Sequence, residues 1–404
     1  MKRLHRAWGV CAGCAVLIFC TSGLVTNAFS IYLPFIQSEN GFSGTQISSI
    51  LTVRSLSSFA AMYLTGLYYR LFSYRRGMTL AGITAALGFL VFGMAKSYPV
   101  YLSAAVLIGL GYGFGSLVPV GIILNRWFNS RLSSATGICS CVTGLSTLGI
   151  PSLITVSAER LGLGFTFIAE ALLVLLLSLL SGLLIKDSPQ ADGCEPYSVP
   201  AVRAERGKRE LHLKPVIKGR AWIAFAAMLL LIGLGTNVSY CHLSMLMTSE
   251  GMSVSSAAVV ILISGLILVG SKVLYGLGAD RFGAFACNFV FGLPVVLGLA
   301  LLPLAHGDPV LMGLCISVYS AGLGMNTVGM VVWAKELSAP ADFDRNNRLF
   351  QSLYAAGGLI FSTLPGFMAD RFGGSYMPAF LCCAAASLAV LLIIQCAYAS
   401  AKRI

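Results

Sequence analysis

The chain has 404 residues, 57% of them hydrophobic and only 10% charged, with a formal net charge of +12. A soluble domain carries about 25% charged residues, so the polar side chains here could not cover a water-borne core of this size. Lipid is the solvent for most of the chain, and a mean hydropathy of +0.84 agrees. A membrane helix needs about 20 apolar residues. Twelve such spans with short connections would take up about this length.

Apolar stretches bounded by charges or turn residues give these segments in chain order. The first runs Trp8–Phe35, too long for the core of a secretory signal despite Lys2 and Arg3 before it. Next come Gln46–Tyr69, Met78–Ala95, Pro99–Leu124, Ser134–Ala158 and Leu163–Ile185. A polar stretch, Lys186–Arg220, carries both signs of charge with Pro189, Pro200 and Pro215, and reads as a flexible linker. The second half continues with Trp222–Met247, Ser255–Ala279, Phe285–Ala305, Pro309–Val332, Phe350–Ala369 and Pro378–Tyr398. The expected fold is an all-α membrane protein of two six-helix bundles, residues 1–185 and 221–404, joined by the linker 186–220.

With the N-terminus placed in the cytoplasm, 22 of the 27 basic residues fall on the cytoplasmic side, eight of them in the linker. Lys96, Arg160 and Arg371 fall outside, and Arg54 and Lys272 lie within spans. This bias orients a multi-pass protein of the plasma or inner membrane with both termini cytoplasmic. It also accounts for the positive charge, so the partner implied is the lipid bilayer and not a nucleic acid. Eleven of the twelve cysteines lie in apolar runs as small packing residues, and the Cys11–Cys14 pair has no second pair with which to hold a metal. Neither a cofactor nor a metal is implied.

The halves repeat. Shifting the second back by 210 positions sets Asn237 on Asn27, Leu243 on Leu33, Gly251 on Gly41, Ser253 on Ser43 and Gly276 on Gly66.

After the eighth segment stands Gly276-Leu277-Gly278-Ala279-Asp280-Arg281-Phe282-Gly283, with a variant at Gly366–Gly373. The loop resembles the major facilitator superfamily signature, G-x-x-x-D-R-x-G. Its glycines let helices approach closely, and Asp280 can hold a helix terminus or a basic residue in one state of a cytoplasmic gate. The corresponding loop after the second segment departs from the pattern, with Arg70 at the acidic position. Gly109, Gly111, Gly113 and Gly115, then Arg126-Trp127-Phe128, Arg131, Ala135 and Gly137, look like the pattern of the monocarboxylate and oxalate/formate transporter branch. The resemblance spans nearly the whole chain. It implies a secondary transporter, not an enzyme, whose first, fourth, seventh and tenth helices line the central path. Gly276, Asp280, Arg281, Gly283 and Arg131 are then the gating candidates.

A cation at the bilayer centre costs roughly 3 kcal/mol unless it meets water or a partner. Lys272 lies eight residues before Asp280, roughly 12 Å into a core of about 30 Å. In the monocarboxylate branch a basic residue four before this glycine contacts the substrate carboxylate, and Lys272 stands four before Gly276. Arg54, at similar depth in the second segment, is either a second anion contact or an interhelical pair. Polar residues of the path helices, among them Asn27, Asn237, Tyr319 and Asn326, imply a cavity of modest polarity. Glu170, inside the sixth segment, is open to a proton-carrying role. Three features depart from the branch. Leu268 replaces the acid one turn before the eighth-helix cation, the first-helix cation falls near Phe29, and residues 349–369 contain no cation. The expected cargo is a small organic anion, with a coupling proton or counter-anion. The alternative is efflux of hydrophobic or cationic compounds, which would call for a carboxylate in the central helices.

Overall fold

The computed structural model describes residues 5–42, 44–146, 150–198 and 220–402. Among the described residues, ten helices are long and apolar enough to cross a membrane, and two shorter apolar ones, Leu132–Leu145 and Ala284–Ala300, complete twelve. Among the described residues the only strand-like feature is one isolated bridge, Phe128 to Tyr197.

Helix α1 runs in four pieces: Arg6–Ile18, a π-helical stretch Phe19–Ala28, a 3-10 turn Phe29–Ile31, and Tyr32–Asn40. Then follow α2 (Gly44–Leu71), α3 (Tyr74–Met94), α4 (Tyr98–Phe114 and Leu117–Trp127), α5 (Leu132–Leu145 and Ile150–Leu161) and α6 (Leu163–Leu184). In the second half, α7 comprises Arg220–Ile232, a π-helical Gly233–Val238, Ser239–Cys241 and Leu243–Ser249. It is followed by α8 (Val254–Phe282), α9 (Ala284–Ala300), α10 (Pro309–Gly322 and Gly324–Leu337), α11 (Phe343–Ile360 and Leu364–Arg371) and α12 (Met377–Lys402).

The chain forms two compact units: Met1–Asn129 with Ile138–Ser198, and Ser130–Gly137 with Val199–Ile404. In the first, the glycines of α4 work in two sets. A Cβ on Gly109 or Gly113 would come within 2.4 Å of Arg54 O and within 2.5 Å of Ser58 O on α2. One on Gly111 would meet Ala85 on α3. Residues four apart share a helix face, so this spacing lets one helix lie backbone-close to two neighbours. An aromatic core of Phe29, Tyr32, Phe89, Phe92 and Phe167 fills the space between α1, α3 and α6. In the second unit, Gly298 and Gly322 bring α9 and α10 equally close, and Tyr319 and Phe380 fill the core.

Several helix ends differ from the sequence reading by a few residues, and two differences matter most. Helix α11 begins at Phe343, seven residues before the expected Phe350. Its first two turns bury only Phe343 and Asn347 between charged residues, so a search for apolar runs passes over them. The stretch after Lys186 begins as ordered chain. Trp127 Nε1 donates to Lys186 O (3.0 Å), Arg75 N to Asp187 Oδ1 (2.7 Å), and Arg6 pairs with Asp192 (2.8 Å). The remainder of the expected linker, 199–219, lies outside the described residues.

Candidate substrate site and gate

The site in the second unit is built on two helix irregularities. Helix α7 widens into π-helical turns at Gly233–Val238, which weakens its regular i→i+4 bonding. Tyr319 of α10 answers: its buried hydroxyl lies 2.5 Å from Ser239 Oγ and 3.3 Å from the carbonyls of both Gly235 and Thr236. Helix α10 breaks at Leu323, between its two pieces. There Ser271 Oγ donates to Ala321 O (2.6 Å) and accepts from Gly324 N (2.9 Å), satisfying a backbone group on either side of the break. Just beyond it, Asn326 Nδ2 donates to Thr236 Oγ1 (2.6 Å), while its buried Oδ1 has no hydrogen-bond partner. Asn237 is exposed and leans on α11, where a Cβ on Gly358 would come within 2.9 Å of its Nδ2.

Lys272 follows Ser271 and is only 6% exposed. Among the described residues, it and Glu170 are the charged side chains that are buried. Its own carbonyl lies 2.6 Å from where a Cβ on Gly137 would stand. One turn on, a Cβ on Gly276 would come to 2.3 Å from Ser133 O. The face of α8 that carries Lys272 and Gly276 therefore runs against the first turns of α5.

That contact ends in the gate candidates. Asp280 places its carboxylate on the N-terminus of α5, accepting from Ser133 N (3.3 Å), Ser134 N (2.7 Å) and Ser134 Oγ (2.5 Å). It acts as an N-cap supplied by another helix, a negative charge at the positive end of a helix dipole. Arg131, just before α5, takes φ +65°, the left-handed region that non-glycine residues rarely occupy. This turns the chain into the helix whose first amides meet Asp280. Gly283 ends α8 at φ +83°, its N–H on Ala279 O at 3.0 Å. The structure thus brings Gly276, Asp280, Gly283 and Arg131 to one place. Arg281 does not join them; it is exposed over the ring of Phe282.

In the first unit, Arg54 Nη1 donates to Val25 O (3.0 Å), a carbonyl within the π-helical part of α1, and its guanidinium lies over Phe29 at 5.4 Å. The arginine is thus attached to the irregular stretch of α1. The side chain of Asn27 lies outside the described residues.

The sequence reading missed Ser271, Ser133 and Ser134, and took Thr236 only as one polar residue among several on α7, although a signal for that stretch was present. The π-helical turns coincide under the 210-residue shift, where Gly23-Leu24-Val25-Thr26-Asn27-Ala28 faces Gly233-Leu234-Gly235-Thr236-Asn237-Val238. Four of these six positions are identical, far more than in the flanking helices.

A family model described as Major Facilitator Superfamily matches residues 15–343. Monocarboxylate transporter 12 of Rattus norvegicus is 22% identical over 405 residues, covering 93% of this chain and 82% of its own. The oxalate:formate antiporter of Oxalobacter formigenes is 23% identical, covering 89% and 82%. The MFS-type transporter pynF of Aspergillus niger is 25% identical over 69% of this chain, and the match spans 62% of that protein, less than two thirds of its length. Among solved structures, a double-tryptophan mutant of XylE superposes with a TM-score of 0.77 at 15% identity, covering 95% of this chain and 94% of that one, a likeness of fold.

Proposed function

Because the chain belongs to the Major Facilitator Superfamily, we propose that this multi-pass transporter moves a small organic anion, a monocarboxylate, by alternating access, as symporter or exchanger. Lys272 carries the reading. A buried lysine midway along α8 attracts negative charge and repels cations, and a carboxylate gives it a charge-assisted hydrogen bond in a medium of low dielectric. Similarity to a monocarboxylate transporter and an oxalate:formate antiporter supports this choice of cargo. Asn326, whose unpartnered Oδ1 can accept from a cargo hydroxyl such as that of L-lactate, and Asn237, whose amide can donate to the carboxylate, offer the neutral hydrogen bonds that orient it, and Asn27 is the repeat-related position in α1. Tyr319 and Arg54 act at one remove, by holding the irregular turns of α7 and α1.

Asp280 on the α5 terminus is the gate, a contact made in one state and broken in the other. Gly276 and Gly283 allow the approach and the turn, Arg131 aims the α5 amides, and Arg281 adds positive charge at the cytoplasmic edge. Both termini face the cytoplasm from a plasma or inner membrane. Efflux of cations fits less well, because among the described residues the buried carboxylate is Glu170, outside the path helices.

The test is uptake of radiolabelled L-lactate into liposomes holding equal amounts of wild type and Lys272→Gln. Loss of uptake with insertion intact, and partial retention in Lys272→Arg, is the expected result. Equal uptake in wild type and Lys272→Gln contradicts the anion site and favours the efflux reading.

A further inference from the structure

Glu170 has no part in the site just described, yet it is buried to 7% exposure inside α6. It stands seven residues from Leu163, roughly 10 Å along the helix. One carboxyl oxygen accepts a hydrogen bond from the Tyr32 hydroxyl, while the other, Oε1, is buried without a partner. Tyr32 also stacks on Phe167, one turn before Glu170, with centroids 4.1 Å apart. Phe29, Phe89 and Phe92 close the surroundings.

Among the described residues, the elements packed on α6 bring no positive charge to the carboxyl; Lys96, just past the end of α3, is exposed. From α3 come Phe89 and Phe92, while Arg75 is spent at the far end of α6, on Gly182 O at 2.7 Å. From the π-helical part of α1 comes the Cys20 thiol, within electrostatic reach of Glu170. At the other ends, Arg6 is held by Asp192, and Glu39, Glu159 and Arg160 are exposed. One hydroxyl cannot solvate an ionised carboxylate in such a place, where an unpaired buried charge is strongly disfavoured. The group is stable there only as the neutral acid.

We propose that Glu170 is a proton-binding site of the transport cycle, holding its proton while Tyr32 rests on it and releasing it when α1 moves. The means of release lies in α1. The helix is irregular from Phe19 to Ile31 and resumes at Tyr32, so a change in those turns swings the tyrosine. Once Tyr32 leaves Phe167, water reaches the carboxyl, the O–H bond of Glu170 breaks, and the proton passes to that water; return of Tyr32 requires its recapture. Tyr32 keeps its own proton throughout. This proposal takes from the preceding section only that the chain is a transporter, and adds a coupling proton to it.

The experiment has two arms. Infrared absorption of purified protein is expected to contain, near neutral pH, the carbonyl band of a protonated carboxylic acid that Glu170→Gln removes and that alkali titrates away reversibly. In liposomes, an inward proton gradient is expected to accelerate L-lactate uptake by wild type. Glu170→Gln should lose that acceleration while keeping L-lactate counterflow, and Tyr32→Phe should shift the pH dependence of uptake. The proposal is overturned if the two proteins have the same infrared spectrum, or if Glu170→Gln responds to the gradient as wild type does. It is also overturned if the folded variant loses counterflow together with the gradient response, the mark of a structural role alone. If no L-lactate enters at all, the carboxylate reading fails, while the infrared arm still decides the proton site.

Discussion

A carboxylate on the terminus of another helix, as Asp280 is on α5, forms a contact that two moving elements can make and break as a unit. Replacing the charge by an amide weakens the dipole and amide interactions by about 1 kcal/mol, several-fold in an equilibrium between states. Asp280→Asn is therefore expected to slow exchange in liposomes while leaving substrate binding measurable; lost binding with normal cycling contradicts the gate. Gly276 admits no side chain, since a Cβ would meet backbone at 2.3 Å. Gly276→Val is expected to abolish exchange and to lower the melting temperature, and a normal exchange rate counts against close helix approach at the gate. Spacing singled out both residues in the sequence, and Lys272 with them, because each belongs to a local pattern. Ser133 and Ser134 were not legible: their amides acquire a partner only when α5 and α8 meet. Nor did the polarity of Tyr319 reveal that its hydroxyl is bound to the carbonyls of α7.

At the scale of the element, the irregular turns of α1 and α7 are the features that set these helices apart from plain spans. All twelve spans were legible because a run of apolar residues long enough for the bilayer has few other readings. A π-helical turn changes hydrogen bonding but not composition, so hydropathy passes over it; only the repeated Gly-Leu-x-Thr-Asn marks it. Thr236 ties this turn to the break in α10 through Asn326. Thr236→Val strands a buried amide donor and is expected to cost about 1–3 kcal/mol, read as a fall in the melting temperature of the detergent-solubilised protein. Thr236→Ser should keep the bond and the stability. Equal melting of Thr236→Val and wild type contradicts the tie.

At the scale of the whole molecule, the distribution of basic residues makes a prediction about sidedness. Cys194 lies in the ordered start of the linker, its thiol 3.6 Å from Asp192 O. In a variant with Cys194 as the only cysteine, a membrane-impermeant maleimide is expected to label permeabilised cells and to leave intact cells unlabelled. Labelling of intact cells contradicts the orientation. The six-and-six division was expected from the polar stretch between two sets of apolar runs, and the repeat from residues that coincide under the 210-residue shift. The proposed chemistry of the cargo rests on one charge, since neutral hydrogen-bonding residues serve helix packing as readily as substrates. The most direct measurement is therefore binding at that charge: thermal shift of purified wild type and Lys272→Gln against L-lactate and oxalate, with a primary amine and a sugar as controls. Stabilisation of wild type by a carboxylate alone, absent in Lys272→Gln, is the expected result. Equal carboxylate stabilisation of both proteins, or stabilisation of wild type by the amine instead, would contradict an anion site at Lys272.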